Sequence, residues 1–379
     1  MDLELTDDQV SLRTVADDLL DARAPLSLAR SFLDGHGDPT ALWKELAELG
    51  WYGVGTDLDG DDGFGLPGLC VLAASIGGHA APSLVADTVI VSRIAAGGDG
   101  VRGRWAQLLT DGTVTAAFAH LEATGSWNLD GIKTRASGSG GYVVNGTKVG
   151  VHHGVYAGAF AVTALTDGGP ALMLVPRDAV GVEVEQESSI DPSSGSCTVH
   201  LSDVTVGPEC VVASPKSGRP LLSAFDVGAV VSAAEGVGAA SRCLDMAVAY
   251  ARERKQYGRS IGSFQALQHL VAECHVLRET AWSAILYAAA AIDDGLEESS
   301  EASSVAKAHA SRVARQVVEG AMQVFGGVAF TWEHDVHLLA RRALAAERRF
   351  GDAVHHERVL SKRLATRGRA VAGLQEGPR

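Results

Sequence analysis

The stretch Tyr250-Ala-Arg-Glu-Arg-Lys-Gln-Tyr-Gly-Arg-Ser-Ile-Gly-Ser-Phe-Gln265 decides how this chain is read. It opens with helical spacing, gathers cations up to a break at Gly258, and resumes as an apolar stripe at Ile261, Phe264, Leu267 and Leu270. A helix that ends on Arg254 beside an aromatic, with a second helix at once behind it, suits a phosphate-bearing ligand. The guanidinium offers a bidentate fork and Tyr257 a flat face. A solvated basic helix end has the same look, so the stretch alone leaves both readings open.

Composition bounds the rest. With 379 residues, 46% of them apolar, the chain can bury a large core and divide into two or three domains. Its formal net charge of −14 excludes a nucleic-acid scaffold, which would need a basic surface. Basic residues concentrate late, at Arg341, Arg342, Arg348, Arg349, Arg358, Lys362, Arg363, Arg367 and Arg369, and are expected to form a solvated helix face. Cys70, Cys197, Cys210, Cys243 and Cys274 are scattered without a C-x-x-C pair, as buried thiols of a reducing cytosol would be. The histidine pairs 152–153 and 355–356 are adjacent in sequence, a poor geometry for metal. The acidic N-terminus has no signal-peptide character, and no apolar run of membrane length is expected. A cytosolic protein follows.

The period of the apolar residues changes twice. Residues 1–112 read as a helical domain: Thr6-Asp-Asp-Gln9 has the form of a capping box. Leu42, Trp43, Leu46 and Leu49 run to a stop at Gly50, and Leu69, Leu72, Ala73 and Ile76 to one at Gly77-Gly78. Residues 113–212 read as short strands at 113–119, 141–146, 158–164, 171–175 and 197–201, forming a β-barrel or sandwich, with Asn145-Gly146 as a hairpin signal. Residues 213–379 return to long helices interrupted at Gly326-Gly327, with an end frayed from Gly368. The fold class is α+β and multidomain.

The opening stretch resembles the acyl-CoA dehydrogenase signature Tyr-Ala-x-x-Arg-x-x-Phe-Gly-x-x-Ile-x-x-Phe-Gln. A second match follows at Gln323-Val-Phe-Gly-Gly327, Thr331 and Arg341-Arg342-Ala343. The helix–β–helix order is similar to that family's fold over nearly the whole chain. In the family both motifs hold FAD across a subunit boundary. The resemblance therefore assigns Arg254, Gln256, Tyr257, Ile261, Phe264, Gln265, Gln323, Gly326 and Gly327 to a neighbour's cofactor. It also implies an acyl-CoA substrate and electron-transfer flavoprotein, or a similar protein, as acceptor.

The reaction of the family removes an α-proton with a carboxylate base while hydride leaves for the flavin. Counting on from Arg341-Arg342-Ala343 puts Phe350 at the usual base position. Aligning on Gly236-Val-Gly238 and Arg242 puts Gly228 at the alternative one, with Ala229 where an Arg would stand. No catalytic residue is assigned; Glu235 and Asp352 are the substitutes to weigh, with Asp226 and Glu347 behind them. Glu235 lies roughly 10 Å along the helix from Gly228 at 1.5 Å per residue, and a buried carboxylate paired with an interface Arg is the expectation for it. The flavin-contacting Thr-Glu-Pro-Gly-Ala-Gly-Ser-Asp is replaced by His120-Leu-Glu-Ala-Thr-Gly-Ser-Trp127, and Trp-Ile-Thr-Asn by Gly150-Val-His-His153. The chain thus resembles the non-catalytic subunit of the heteromeric (α2β2) actinobacterial enzymes that shorten steroid side chains, with a catalytic acyl-CoA dehydrogenase subunit as partner. A homo-oligomeric flavoenzyme with a relocated base and a non-enzymatic scaffold of the same fold stay open.

Overall fold

In the computed structural model, residues 4–56, 63–97, 104–138, 140–213 and 218–375 are described. Helix α1 (Asp7–Arg23) starts on the reciprocal box foreseen for it: Gln9 N donates to Thr6 Oγ1 at 3.2 Å, and Thr6 N to Gln9 Oε1 at 3.1 Å. Helices α2 (Leu26–Leu33) and α3 (Thr40–Glu48) follow, and the chain turns at Gly50 with φ +74°. Next come α4 (Gly65–Gly78), α5 (Val85–Gly97) and α6 (Arg104–Thr110).

Gly77 and Gly78 do more than end α4. A Cβ on Gly77 would collide with the carbonyl of Glu235, and one on Gly238 with the carbonyl of Ala74. Helix α4 therefore crosses α7 (Gly218–Glu253) backbone on backbone, which only glycine permits at these two points.

Eight strands form one mixed sheet: β1 (Ala116–Ala119), β2 (Arg135–Ser137), β3 (Tyr142–Val151), β4 (Ala159–Thr166), β5 (Gly169–Pro176), β6 (Val182–Gln186), β7 (Cys197–Val206) and β8 (Val211–Ala213). Their order is β6-β7-β3-β2-β4-β5-β8, and β1 and β2 both run parallel to β4. The hairpin foreseen at Asn145-Gly146 is corrected, because both residues lie inside β3 at a shift in its register with β7. Asn145 is held there by Asp203, donating to its Oδ1 at 3.0 Å and accepting from its backbone N at 2.9 Å. Gly146 leaves the space that Thr134 fills. A tertiary partner, not turn chemistry, chose this Asn-Gly pair.

After α7 come the two-residue strands β9 (Lys255–Gln256) and β10 (Arg259–Ser260). Helices α8 (Gln265–Asp293), α9 (Ser299–Phe325), α10 (Val336–Arg348) and α11 (Ala353–Gln375) complete the chain. Helix α11 continues through Gly368, where fraying was expected. The membrane-length expectation is also corrected: Leu221–Glu253 reaches a mean hydropathy of 1.4 over a spanning length. That helix is the centre of the bundle, with 78% of its apolar window buried, and its hydropathy comes from the small residues that close packing requires.

The crossing makes a direct prediction. Gly238→Ala should lower the unfolding free energy by about 2 kcal/mol, the usual scale of overpacking, read as a shift of the urea midpoint. An unmoved midpoint would refute backbone contact between α4 and α7.

Candidate active centre and cofactor half-site

The residues assigned to a neighbour's cofactor lie at the ends of three helices, the C-termini of α7 and α9 and the N-terminus of α8. Tyr250, four residues before Arg254, packs on Phe325, next to Gly326, with ring centroids 5.1 Å apart. Strands β9 and β10 form a tight hairpin whose tip residues, Tyr257 (φ +53°) and Gly258 (φ +78°), both take the left-handed conformation that such two-residue turns require. Arg254, Gln256, Gln265 and Gln323 are exposed; Ile261 and Phe264 are half-buried. Arg259 covers the Phe264 ring at 4.1 Å, and Ile261 N donates to the Arg254 carbonyl at 2.8 Å. Gly326 and Gly327 have open space where side chains would stand. This edge can hold an anion presented from outside the chain.

The two positions matched to a base meet in space. The Phe350 ring lies so close over Gly228 that a Cβ there would overlap it. Around it Trp127 stacks at 5.2 Å and 29°, Phe118 lies at 5.3 Å, and Phe225 meets Phe118 edge-on at 5.6 Å. His120 fits between Trp127 at 5.5 Å and Phe225 at 4.7 Å. Phe350 itself has φ +54°, a costly conformation for a non-glycine residue that this packing maintains.

Each carboxylate nearby is engaged elsewhere. Asp352 accepts from His355 N at 2.9 Å and faces Arg348 at 3.3 Å. Glu347 pairs with Arg315 at 3.2 Å, and Asp226 accepts from Ser300 Oγ at 3.1 Å. Glu235 is buried and bridges two arginines, Arg342 at 3.2 Å and Arg349 at 2.9 Å, as foreseen. Those arginines correct the expectation of a solvated basic face. Arg342 is wholly buried and also donates to Asp191 at 2.5 Å, Ser193 Oγ at 2.8 Å, and the carbonyls of Ala81 and Ala80 at 2.8 and 3.1 Å. Arg349 reaches Asp87 on α5. Asp191, Arg342, Glu235, Arg349 and Asp87 thus form one chain of alternating charge joining the N-terminal helices, the sheet and the C-terminal bundle.

Other buried polar groups surround this junction. Lys148 donates to Glu122 at 2.8 Å, the His120 carbonyl at 3.1 Å and Thr163 at 3.2 Å, and burial lowers its pKa to about 8. Lys307 donates only to neutral acceptors, Ser232 Oγ at 3.0 Å and the Ala346 carbonyl at 2.7 Å; burial lowers it to about 7. The rings of His152 and His153 meet at 4.2 Å and are buried near Arg342 and Arg349, so both imidazoles are held neutral. Sequence reasoning missed Lys307, Asp87, Asp191, Phe118 and Phe225. Only Lys307 had a local signal, the run of small residues around it in Ala302–Ala310.

Comparison with known proteins agrees with this architecture. Residues 219–365 match the family described as "Acyl-CoA dehydrogenase, C-terminal domain". The chain is 28% identical to the probable acyl-CoA dehydrogenase YngJ of Bacillus subtilis, over 96% of this chain and 100% of that one. It is 44% identical to acyl-CoA dehydrogenase IpdE2 of Mycolicibacterium smegmatis over 119 residues, 31% of this chain and 36% of that protein's length. Among solved structures, the Tcur3481-Tcur3483 steroid acyl-CoA dehydrogenase superposes with a TM-score of 0.84 at 26% identity, covering 96% of this chain and 99% of that one. Residues 219–365 belong to the acyl-CoA dehydrogenase family, and the chain as a whole has that family's fold.

Members of that family are FAD flavoproteins. At this chain's own centre the residues do not fit a flavin ring and an acyl chain. Trp127 and Phe350, which the resemblance sets at the flavin motif and the base position, stack on each other. Opening a gap for a further layer would break that contact and lift Phe350 off Gly228. The edge at Arg254, Gln323 and Gly326-Gly327 is open and offers donors that suit an anionic dinucleotide.

The buried histidines set the response to acid. Burial lowers His120 to about 3 and His356 to about 4, with His152 and His153 also well below 6.5. Unfolded histidines bind protons below about pH 6.5, so unfolding takes up protons and stability falls as pH falls through this window. Asp87 and Asp226, both raised to about 6, act in the opposite direction below that pH. The lowered histidines, His337 and His355 among them, outnumber the two raised aspartates, so the net stability should fall as pH falls between about 6 and 4. Urea unfolding at a series of pH values checks this, and a stability that is flat or rises on acidification would contradict it.

Proposed function

We propose that this chain is the non-catalytic subunit of a heteromeric acyl-CoA dehydrogenase. It completes the FAD site of a catalytic partner and performs no proton abstraction itself. The observation that carries this reading is the contrast between the two half-sites. Phe350 and Gly228, at the two base positions, are packed together in an aromatic core. The cofactor edge of Arg254, Gln323 and Gly326-Gly327 is open to a ligand from outside. Glu235 and Asp352 are poor substitutes for the base, one clamped between arginines and the other capping α11.

The partner supplies the carboxylate, the thioester pocket and the flavin-facing β-domain. Arg254 would meet the pyrophosphate with its fork, Gln323 would donate from the end of α9, and the two glycines would let backbone approach. Flavin, when bound in the partner, accepts the hydride of the α,β-dehydrogenation. The Tcur3481-Tcur3483 pair is a steroid acyl-CoA dehydrogenase, which supports a bulky sterol-derived thioester as the substrate class. Electron-transfer flavoprotein or a similar carrier is the proposed acceptor. The five buried free thiols suit a cytosolic home.

The experiment is co-expression with an acyl-CoA dehydrogenase chain from the same gene neighbourhood that carries Glu where this chain has Phe350. Arg254→Ala in this chain should lower FAD per purified complex at least tenfold without dissociating the subunits, a loss typical of a desolvated charge-assisted contact. Full flavin retention in that variant would sink the proposal. Phe350→Glu should leave this chain inactive when purified alone; restored turnover would mean that its own centre can bind flavin and substrate.

A further inference from the structure

Three large aromatic side chains stand in water beside the cofactor edge: Tyr257 is 92% exposed, Phe330 79% and Trp332 54%. Phe330 and Trp332 follow Gly327 by three and five residues. Exposed aromatics grouped in this way mark contact surfaces, where Trp, Tyr and Arg carry most of the binding energy.

The segment that carries them is held in place. Arg30 of α2 donates to the Trp332 carbonyl at 2.6 Å and grips Asp335 at 2.5 Å. The Trp332 ring stacks on His337 at 5.2 Å, and His334 packs on Phe325 at 4.4 Å. A fixed apolar pair loses little entropy when a partner covers it. The electrostatics of the same end are one-sided. Arg254, Lys255 and Arg259 crowd the hairpin, and no carboxylate pairs with any of them among the described residues. On a chain of net charge −14, three unneutralised cations together call for an anionic occupant.

We infer that Phe330 and Trp332 are the protein anchor by which this chain holds the subunit whose FAD its Arg254 and Gln323 reach. The inference rests on the reading of the preceding subsection and adds residues that do not touch cofactor. The cations face the partner's dinucleotide, and the aromatic pair, just beyond the glycines, is covered by the protein around that dinucleotide. A second copy of this chain fits less well. Its own centre is filled by Phe350 and Trp127, so it would bring no pyrophosphate to the three cations.

Sedimentation of the co-expressed complex tests the anchor. Trp332→Ala and Phe330→Ser, made separately, should each raise the dissociation constant at least about tenfold, while flavin per assembled complex stays at the wild-type value. Phe330→Ser guards against misfolding, since that side chain is mostly in water, and Val180→Ser, 93% exposed on the sheet domain, should change nothing. Wild-type affinity in both aromatic variants overturns the anchor, and so does a homo-oligomer of this chain that they disrupt or the absence of any complex. Loss of flavin without loss of affinity would make the pair cofactor ligands, and also overturns it. The cofactor reading fails separately, through Arg254→Ala, whatever the aromatic variants do.

Discussion

Five charged side chains, Asp191, Arg342, Glu235, Arg349 and Asp87, are buried where the N-terminal helices, the sheet and the C-terminal bundle meet. Taking such groups out of water costs several kcal/mol apiece, and only a complete set of partners offsets it. Arg342 shows how complete the set is: every part of its guanidinium donates, to two carboxylates, a hydroxyl and two carbonyls. The alternation of sign means that no member can leave without exposing its neighbours to an unpaired charge. The three blocks are therefore held in one arrangement, because a shift of any block would break a pair at one of its ends.

That junction also fixes the centre. Arg349 directly precedes Phe350, and its side chain is tied to α5 and α7 while its carbonyl accepts from Ser232 Oγ at 3.4 Å. The Nε2 of His356 donates to the Phe350 carbonyl at 2.9 Å. The backbone is thus held on both sides of the ring, which accounts for a phenylalanine persisting at φ +54°. The aromatic cluster in turn fills the space around Phe350 with apolar contact. Filling that space adds stability, since empty volume in a core is destabilising. On the proposed reading, the function moves outward to an edge made of a hairpin tip, a helix end and a pair of glycines.

Much of this was legible in the sequence. The period changes gave the order of helices and strands, and Thr6-Asp-Asp-Gln9 gave a cap whose two bonds are both present. The trans motif could be located because its glycines and arginine need fixed spacing. Strand β6, Val-Glu-Val-Glu-Gln, was overlooked although it alternates cleanly, because two exposed glutamates dilute a run of five residues. Asn145-Gly146 misled because turn propensity is local, whereas Asp203 and Thr134, which decide that site, come from elsewhere in the chain. The arginines at 342 and 349 were read as solvated for a similar reason. Nothing near them in sequence announces Asp191 or Asp87, which lie more than a hundred residues away. For Asp191, Arg342, Arg349 and Asp87 the burial is a property of the assembled blocks, whereas Glu235 announces its own by interrupting an apolar run of α7.

On the proposed reading, this chain's own centre is closed to flavin while its edge serves another subunit. The most direct measurement is the FAD-to-protein ratio of the chain purified alone, read from its visible absorbance after reconstitution with excess FAD. The account predicts a ratio near zero in a soluble, folded protein. A ratio near one per chain would contradict it, because the stacked rings of Phe350 and Trp127 would then have to part to admit the cofactor.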